Sequence, residues 1–411
     1  MVNGTKTNKV LAKIQVILAL ATVLFANSAC IRKDLFLRVD TIHIAVEITD
    51  IKLNLLWGVE WKTEWQYDWD ESLAQYGLIG YTKPELIKGT IYDVDANTGK
   101  RYSSFFKIFG SEGGRVSLNA GSTYDMMFYN FGTEYTSFYQ SEDYYTYTAS
   151  TRTSNQASWI RTRAENQYSD MPDTMKTYTL HNQPDELFGT LVSGLEINQD
   201  PTVYTKEVDA DGNITYVYRV DAALRPYTFI YMYQIIILNN QDEQGDRITG
   251  ALGLTVTGLS QGVEMFSRMT FNNTISISTE DIKPIQKHDT VRFTDGRTYY
   301  NADIMAARVL TWGLPGINPL ATTKAGTRAP EIDQNFIGIG FTLRNGYTFT
   351  MTRDITQQMH DNPTGGIITI IFDSGDIPQE IIDQKPKPGG GGGFNASVEN
   401  WANEMNAEVT I

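Results

Sequence analysis

The 411 residues contain a single cysteine, Cys30. A lone thiol excludes any internal disulfide, so the fold must rest on its apolar core. Histidine is scarce too. His43, His181, His288 and His360 are scattered along the chain, and with one cysteine they form no zinc spacing. The motifs imply no metal and no cofactor. Positive charge is also short, with 34 Lys and Arg against 48 Asp and Glu, for a net charge of −14. Loss of Lys6, Lys9 and Lys13 with a cleaved leader would take −14 to −17. Such a surface does not neutralise phosphates, which argues against a nucleic-acid partner. Long helical patterns are absent, and past residue 29 no apolar run approaches the ~20 residues that span a bilayer.

What stands at the N-terminus is a leader. Lys6, Lys9 and Lys13 precede an apolar stretch, Ile14 to Phe25, and small residues lead to Cys30. Residues 1–29 therefore read as a signal peptide. Ser28 and Ala29 before Cys30 resemble a lipobox, although Asn27 departs from the usual aliphatic residue. Ordinary cleavage after Ser28 is the rival, since Ala26-Asn27-Ser28 also alternates small residues. The lipobox reading makes Cys30 the lipid attachment site of a membrane-held bacterial lipoprotein. Acylation with palmitate-like chains would cap the thiol, and two or more chains hold stably where one holds marginally.

Alternation of period two dominates the mature chain. Ile42, Ile44, Val46 and Ile48 share a face, and after Thr49-Asp50 the phase shifts to Ile51, Leu53, Leu55 and Trp57. From Tyr227 to Leu238 both faces are apolar, which predicts a central strand covered on two sides. Hairpins are expected at Val203–Val208 with Ile214–Val220, and at Ile337–Leu343 with Tyr347–Met351 around Asn345-Gly346. Ile367–Phe372 reads as a short strand. Asp185–Phe188 and Asn301–Arg308 are read as short helices. The polar stretch 151–186 suggests a split near residue 190, giving domains 30–190 and 191–388.

The end of the chain, 389–411, is different. Gly389 to Gly393 form a flexible linker, and Trp401, Met405, Ala407, Val409 and Ile411 share one parity beyond it. That is a tether followed by a strand with an apolar face. It either completes its own sheet or is donated to a neighbouring subunit.

Few motifs point to chemistry. Gly258-Leu259-Ser260-Gln261-Gly262 matches G-x-S-x-G, which acts only on a strand-to-helix elbow with an acid and a His. Val263 to Ser267 is weakly helical at best, so a turn is expected and no enzyme is inferred. Asp93 to Gly99 and Asp209 to Asn213 are acidic loops. The first lacks the closing glutamate of a calcium loop, and both are expected to be turns. Trp57, Trp61, Trp65 and Trp69 recur every four residues. Exposed, they would form a glycan platform. Buried, they are core.

Cys30-Ile31-Arg32-Lys33-Asp34-Leu35, Tyr67-Asp68-Trp69 and Gly121 to Asn130 resemble segments of fimbrillin-like lipoproteins of Gram-negative anaerobes. Pro184 to Gly189 and Val398-Glu399-Asn400-Trp401 are similar to further segments of a domain-of-unknown-function group in that superfamily. The resemblance implies an all-β fold, two transthyretin-like Greek-key sandwiches in tandem. It also implies a structural role as an accessory or anchor pilus subunit. In polymerising members a groove left by a trimmed N-terminal strand accepts a partner's strand. Arg32, Lys33 and Arg38 are the basic residues nearest such a trimming point.

Overall fold

The computed structural model describes residues 43–48, 81–140, 147–156, 177–212, 214–293, 296–319 and 334–385. The signal segment, Cys30, the four tryptophans Trp57, Trp61, Trp65 and Trp69, and the tail 389–411 lie outside them.

The first strands are β1 (His43–Ile48), β2 (Leu86–Val94), β3 (Arg101–Gly110), β4 (Arg115–Asn119), β5 (Thr123–Asn130), β6 (Thr136–Gln140) and β7 (Tyr147–Thr151). Then come β8 (Leu180–His181), β9 (Phe188–Glu196), β10 (Thr205–Val208), β11 (Ile214–Val220), β12 (Arg225–Pro226) and β13 (Phe229–Leu238). β14 (Gln241–Asp242), β15 (Gly245–Asp246), β16 (Ile248–Ser260), β17 (Gly262–Glu264) and β18 (Thr274–Thr279) follow. The last are β19 (Ile282–Arg292), β20 (Thr298–Thr311), β21 (Phe336–Leu343), β22 (Thr348–Asp354) and β23 (Gly366–Asp373). Two short helices, α1 (Thr356–Asp361) and α2 (Gln379–Ile382), close the described chain.

The all-β expectation holds, and the expected hairpins form, with Lys206 opposite Tyr216 and Phe341 opposite Phe349. Both predicted helices are wrong. Asn301–Arg308 lies in β20, because its apolar residues alternate into two cores and period two outweighs local helix preference. Asp185–Leu187 is an irregular lead-in to β9, held by side-chain hydrogen bonds.

Contact clustering divides the chain into two compact units. The smaller takes in Ser117–Ser122 and Ile197–Tyr218, with the β10–β11 hairpin. The larger holds two layered pairs of sheets. In one pair, a four-stranded sheet (β19-β20-β13-β23) faces a five-stranded one (β22-β21-β16-β18-β8). Phe229, Tyr231, Tyr233, Ile235 and Ile237 of β13 pack on Leu254, Val256, Ile337, Ile339 and Phe341. Each such side chain contributes about 2 kcal/mol on burial. The opposite face of β13, Ile230, Met232 and Ile236, is buried with Ile304, Ala306 and Leu310. β13 is therefore covered on both sides, as its sequence predicts, although its partner β23 runs parallel to it.

The other pair sets β12-β9-β5-β2-β3 against the three-stranded sheet β17-β7-β6. Several pairings among the described residues cross residue 190. β8 joins β18, β7 joins β17 and β9 joins β12.

Candidate interaction groove

The second pair of sheets builds its core from alternate residues. Lys88, Thr90 and Tyr92 of β2 share a face with Met127 and Tyr129 of β5, since Lys88 pairs with Tyr129 and Thr90 with Met127. Across from them lie Phe138 of β6, Tyr147 and Ala149 of β7, and Val263 of β17. Tyr129 meets Phe138 with ring centroids 5.2 Å apart, and Gln140 Nε2 donates to the Tyr92 hydroxyl at 3.3 Å. The Tyr147 hydroxyl donates to that of Tyr129. Burial, aided by Tyr129, pushes the Tyr92 phenol up to about 12 and raises Tyr147 well beyond its ordinary value.

These contacts place β6, the last strand of its sheet, above β5 and β2. β3 extends one strand further, and among the described residues no strand lies opposite it. Its core-side residues are fixed by register: Phe106 pairs with Thr90 and Ile108 with Lys88. Antiparallel partners point to the same face. Phe106 and Ile108 therefore face the interior side of the sandwich, yet they are 61% and 47% exposed. The Lys88 ammonium sits 4.9 Å from the centre of the Phe106 ring and 5.7 Å from that of Tyr129. Among the described residues no carboxylate pairs with it. Among the described residues the result is an open groove between the edge strands β3 and β6, with an apolar floor, no further strand paired along its rims and one cation.

The matching motifs build this scaffold. The Asp185 carboxylate accepts backbone N–H bonds from Glu134, Tyr135 and Thr136 at 3.1, 2.9 and 2.7 Å, fixing the entry to β6. Asn130 donates to the Glu186 carbonyl at 2.7 Å and accepts from the Phe188 N–H at 2.6 Å, tying β5 to β9. Asp125 accepts from Arg101 Nε at 2.5 Å and from the Gly194 N–H at 2.6 Å. A Cβ on Gly189 would lie 2.6 Å from the Tyr227 ring and 2.7 Å from the Phe128 carbonyl oxygen, so only glycine fits.

The other sequence candidates resolve as follows. Ser260 is fully buried at the end of β16 and its hydroxyl bonds to the Gly262 and Phe271 carbonyls at 2.9 and 3.0 Å. A bend at Gln261 leads into β17, so the strand-to-helix elbow is absent there. Asp95 accepts the Asn97 and Thr98 N–H groups at 2.8 and 2.9 Å in the β2–β3 turn. These bonds, Thr98 first, hold its carboxyl below the ordinary range. Asp209 likewise caps a turn with Gly212 at φ +84°.

The scattered histidines hid one cluster. His288 of β19 lies between Asp246 and Asp303, with its Nε2 3.1 Å from one and its Nδ1 3.3 Å from the other. The three ligand-type atoms lie within 4.8 Å of one another. Pairing of β19 with β20 brings His288 beside Asp303, and Asp246 comes from β15 of the β14–β15 hairpin, so no sequence spacing could reveal the trio. Lys287 Nζ at 3.0 Å already occupies Asp246, and Asn240 Nδ2 at 2.6 Å and the His288 N–H at 2.8 Å occupy Asp303. The donor set suits an ion-pair network locking a loop better than a metal ion. Sequence reasoning also missed Lys88, Phe106 and Ile108. Their only signal is that β3 is apolar on both faces while ending its sheet.

A family model described as a domain of unknown function, DUF5119, matches residues 66–280. Three solved structures are similar in part. A candidate adhesin from Bacteroides ovatus is 15% identical, with 84% of this chain and 98% of that chain covered and a TM-score of 0.43. The fimbrial anchor protein Mfa2 from Porphyromonas gingivalis is 8% identical, covering 80% and 90%, with a TM-score of 0.35. A fimbrial assembly protein from Parabacteroides distasonis is 10% identical, covering 81% and 92%, with a TM-score of 0.28. At these scores the likenesses assign no function to this chain.

Proposed function

Because the chain belongs to the DUF5119 family, whose description leaves its activity open, we propose that it is a fimbrillin-like structural subunit. In this reading Cys30 anchors it by lipid in the outer membrane, and strand exchange joins it to other subunits. It acts as an accessory or anchor component of a pilus and as an adhesion scaffold, without catalysis. The tandem reading, 30–190 and 191–388, belongs to the same proposal. The pairings across residue 190 would make the halves unfold together.

The observation that carries the reading is the groove between β3 and β6. An added strand beside β6 would pair its free backbone edge and cover Phe106 and Ile108 in one step. Residues 394–411 have the parity for that role, and Gly389 to Gly393 give them reach.

Deletion of Gly389–Ile411 tests it. The truncated protein is expected to keep its β-type circular dichroism and lose association with other subunits. Unchanged association, or a truncated chain that unfolds as a monomer, would defeat strand donation. Lipid anchoring is checked separately: Cys30→Ala should abolish acylation by mass spectrometry and release the protein from the membrane fraction. Release without loss of acyl chains would count against it.

A further inference from the structure

The strand-exchange reading leaves open how the groove selects its strand, and the inference here rests on that reading. Lys88 is the clue. It projects from β2 onto a face that is otherwise apolar, half-buried against Phe106 and Tyr129. Cation–π contact with two rings offsets part of the cost of its partial burial, and water solvates the remainder of the ammonium. A strand laid over the groove would remove that water. Covered by apolar side chains alone, Lys88 would become a buried charge without a counter-ion, which is strongly unfavourable. Covered by a strand with a carboxylate at that point, it would gain a partner. The groove would then reject purely apolar strands and accept acidic ones, which is selection by repulsion as much as by attraction.

We propose that Lys88 is the specificity-determining residue of the groove, and that its partner is Glu399 in the tail of a second copy of this chain. The tail supplies the carboxylate on the right face. Glu399 shares parity with Trp401, Met405, Ala407, Val409 and Ile411, so a strand that turns these inward also turns Glu399 inward. The even-numbered acids, Glu404 and Glu408, point the other way.

A second copy is favoured by where the chain leaves the fold. α2 is tied by Asn345 Nδ2 to the Ile381 and Ile382 carbonyls at 2.6 and 3.0 Å, in the turn between β21 and β22. Leu343 beside that turn pairs with Ile248, which is bonded to Asn240 just past the end of β13. The groove's core instead meets the opposite end of β13, through Tyr227 and Trp312. The ten residues of β13 separate the two by about 30 Å. A random coil of the length and composition of 385–399 would have an r.m.s. end-to-end distance of about 20 Å, short of that separation. α2 and the groove's core therefore lie toward opposite ends of β13. Such a head-to-tail contact does not close and builds open filaments.

Charge reversal on the full mature chain tests this, with self-association read by sedimentation and folding by circular dichroism. Lys88→Glu and Glu399→Lys should each weaken association at least tenfold. The double variant, with both charges swapped, should recover most of it. If the wild type associates, the Gly389–Ile411 deletion does not, and both single variants associate like wild type, strand exchange survives and the role of Lys88 is refuted. If deletion leaves association untouched, the underlying reading fails as well. If the charge coupling appears only in the stability of a monomer, the tail folds back on its own chain and the second-copy assignment is overturned.

Discussion

Asp185→Ala should destabilise the protein out of proportion to its half-exposed position. The carboxylate accepts three consecutive backbone N–H groups, from Glu134, Tyr135 and Thr136. Glu134 and Tyr135 are exposed, so water replaces the lost acceptor there and each bond costs about 0.5 kcal/mol. Thr136 is different. It is 2% exposed, and its N–H makes the shortest of the three bonds, at 2.7 Å. Stripped of its acceptor it is a buried orphan donor, worth about 1–3 kcal/mol. The expected total is roughly 2–4 kcal/mol. Asp185→Asn keeps one acceptor oxygen and should cost about half as much. Urea unfolding followed by circular dichroism measures both, and the m-value should stay constant because no surface is exposed in the native state. An alanine variant within about 0.5 kcal/mol of wild type would refute the reasoning, since surface substitutions fall in that range. So would an asparagine variant as damaged as alanine, which would locate the effect in packing and not in hydrogen bonding.

Alkaline pH should unfold the protein through its tyrosines. Burial raises the phenols of Tyr81, Tyr147, Tyr227, Tyr231 and Tyr233, and carries Tyr92 to about 12. A phenol whose folded value is raised stabilises the fold fully below pH 10, and that contribution is lost as pH climbs through the folded value. Absorbance at 295 nm should show this buried set ionising only as the protein unfolds; ionisation of these phenols ahead of the loss of β-type circular dichroism would contradict this. Asp303→Ala should cost roughly 2–4 kcal/mol, because the 1%-exposed carboxylate serves both Asn240 Nδ2 and the His288 N–H. Urea unfolding checks it, and a variant as stable as wild type would mean that water enters the site.

Legibility followed the reach of the signal along the chain. β13 was readable because all of its ten residues but Gln234 carry apolar or aromatic side chains, on both faces, and only a strand covered on two sides requires that. The β21–β22 hairpin was readable because Asn345-Gly346 needs positive φ within two residues of both strands, and Gly346 has φ +81°. The parallel pairing of β23 with β13 was not readable, since its partners lie over 130 positions apart, as Tyr231 and Gly366 do. Asn301–Arg308 misled for a related reason. Ile304, Met305, Ala306 and Ala307 look helical in isolation, and only the sheets on either side make them a strand. The cluster of Asp246, His288 and Asp303 is likewise a tertiary product, since β19, β20 and the β14–β15 hairpin each supply one member.

The groove is harder to read than any of these, because it is defined by what does not face it. Phe106 and Ile108 carry the pattern of an ordinary core-facing strand, and nothing in 101–110 announces that the opposite sheet ends one strand early. The residues that match the family resemblance, Gly121, Asp125, Asn130, Asp185 and Gly189, all serve turns, ion pairs and close backbone approaches. They specify where β5, β6 and β9 go, and so how far the shorter sheet extends. The recognisable motif therefore fixes the acceptor indirectly. By holding β6 above β2 it leaves β3 without a facing strand among the described residues, while Lys88, whose charge would discriminate among strands, lies between the short motif segments though within the matched family region. Related chains could then keep the groove and change its partner by substitution at this one position, at little cost to the scaffold.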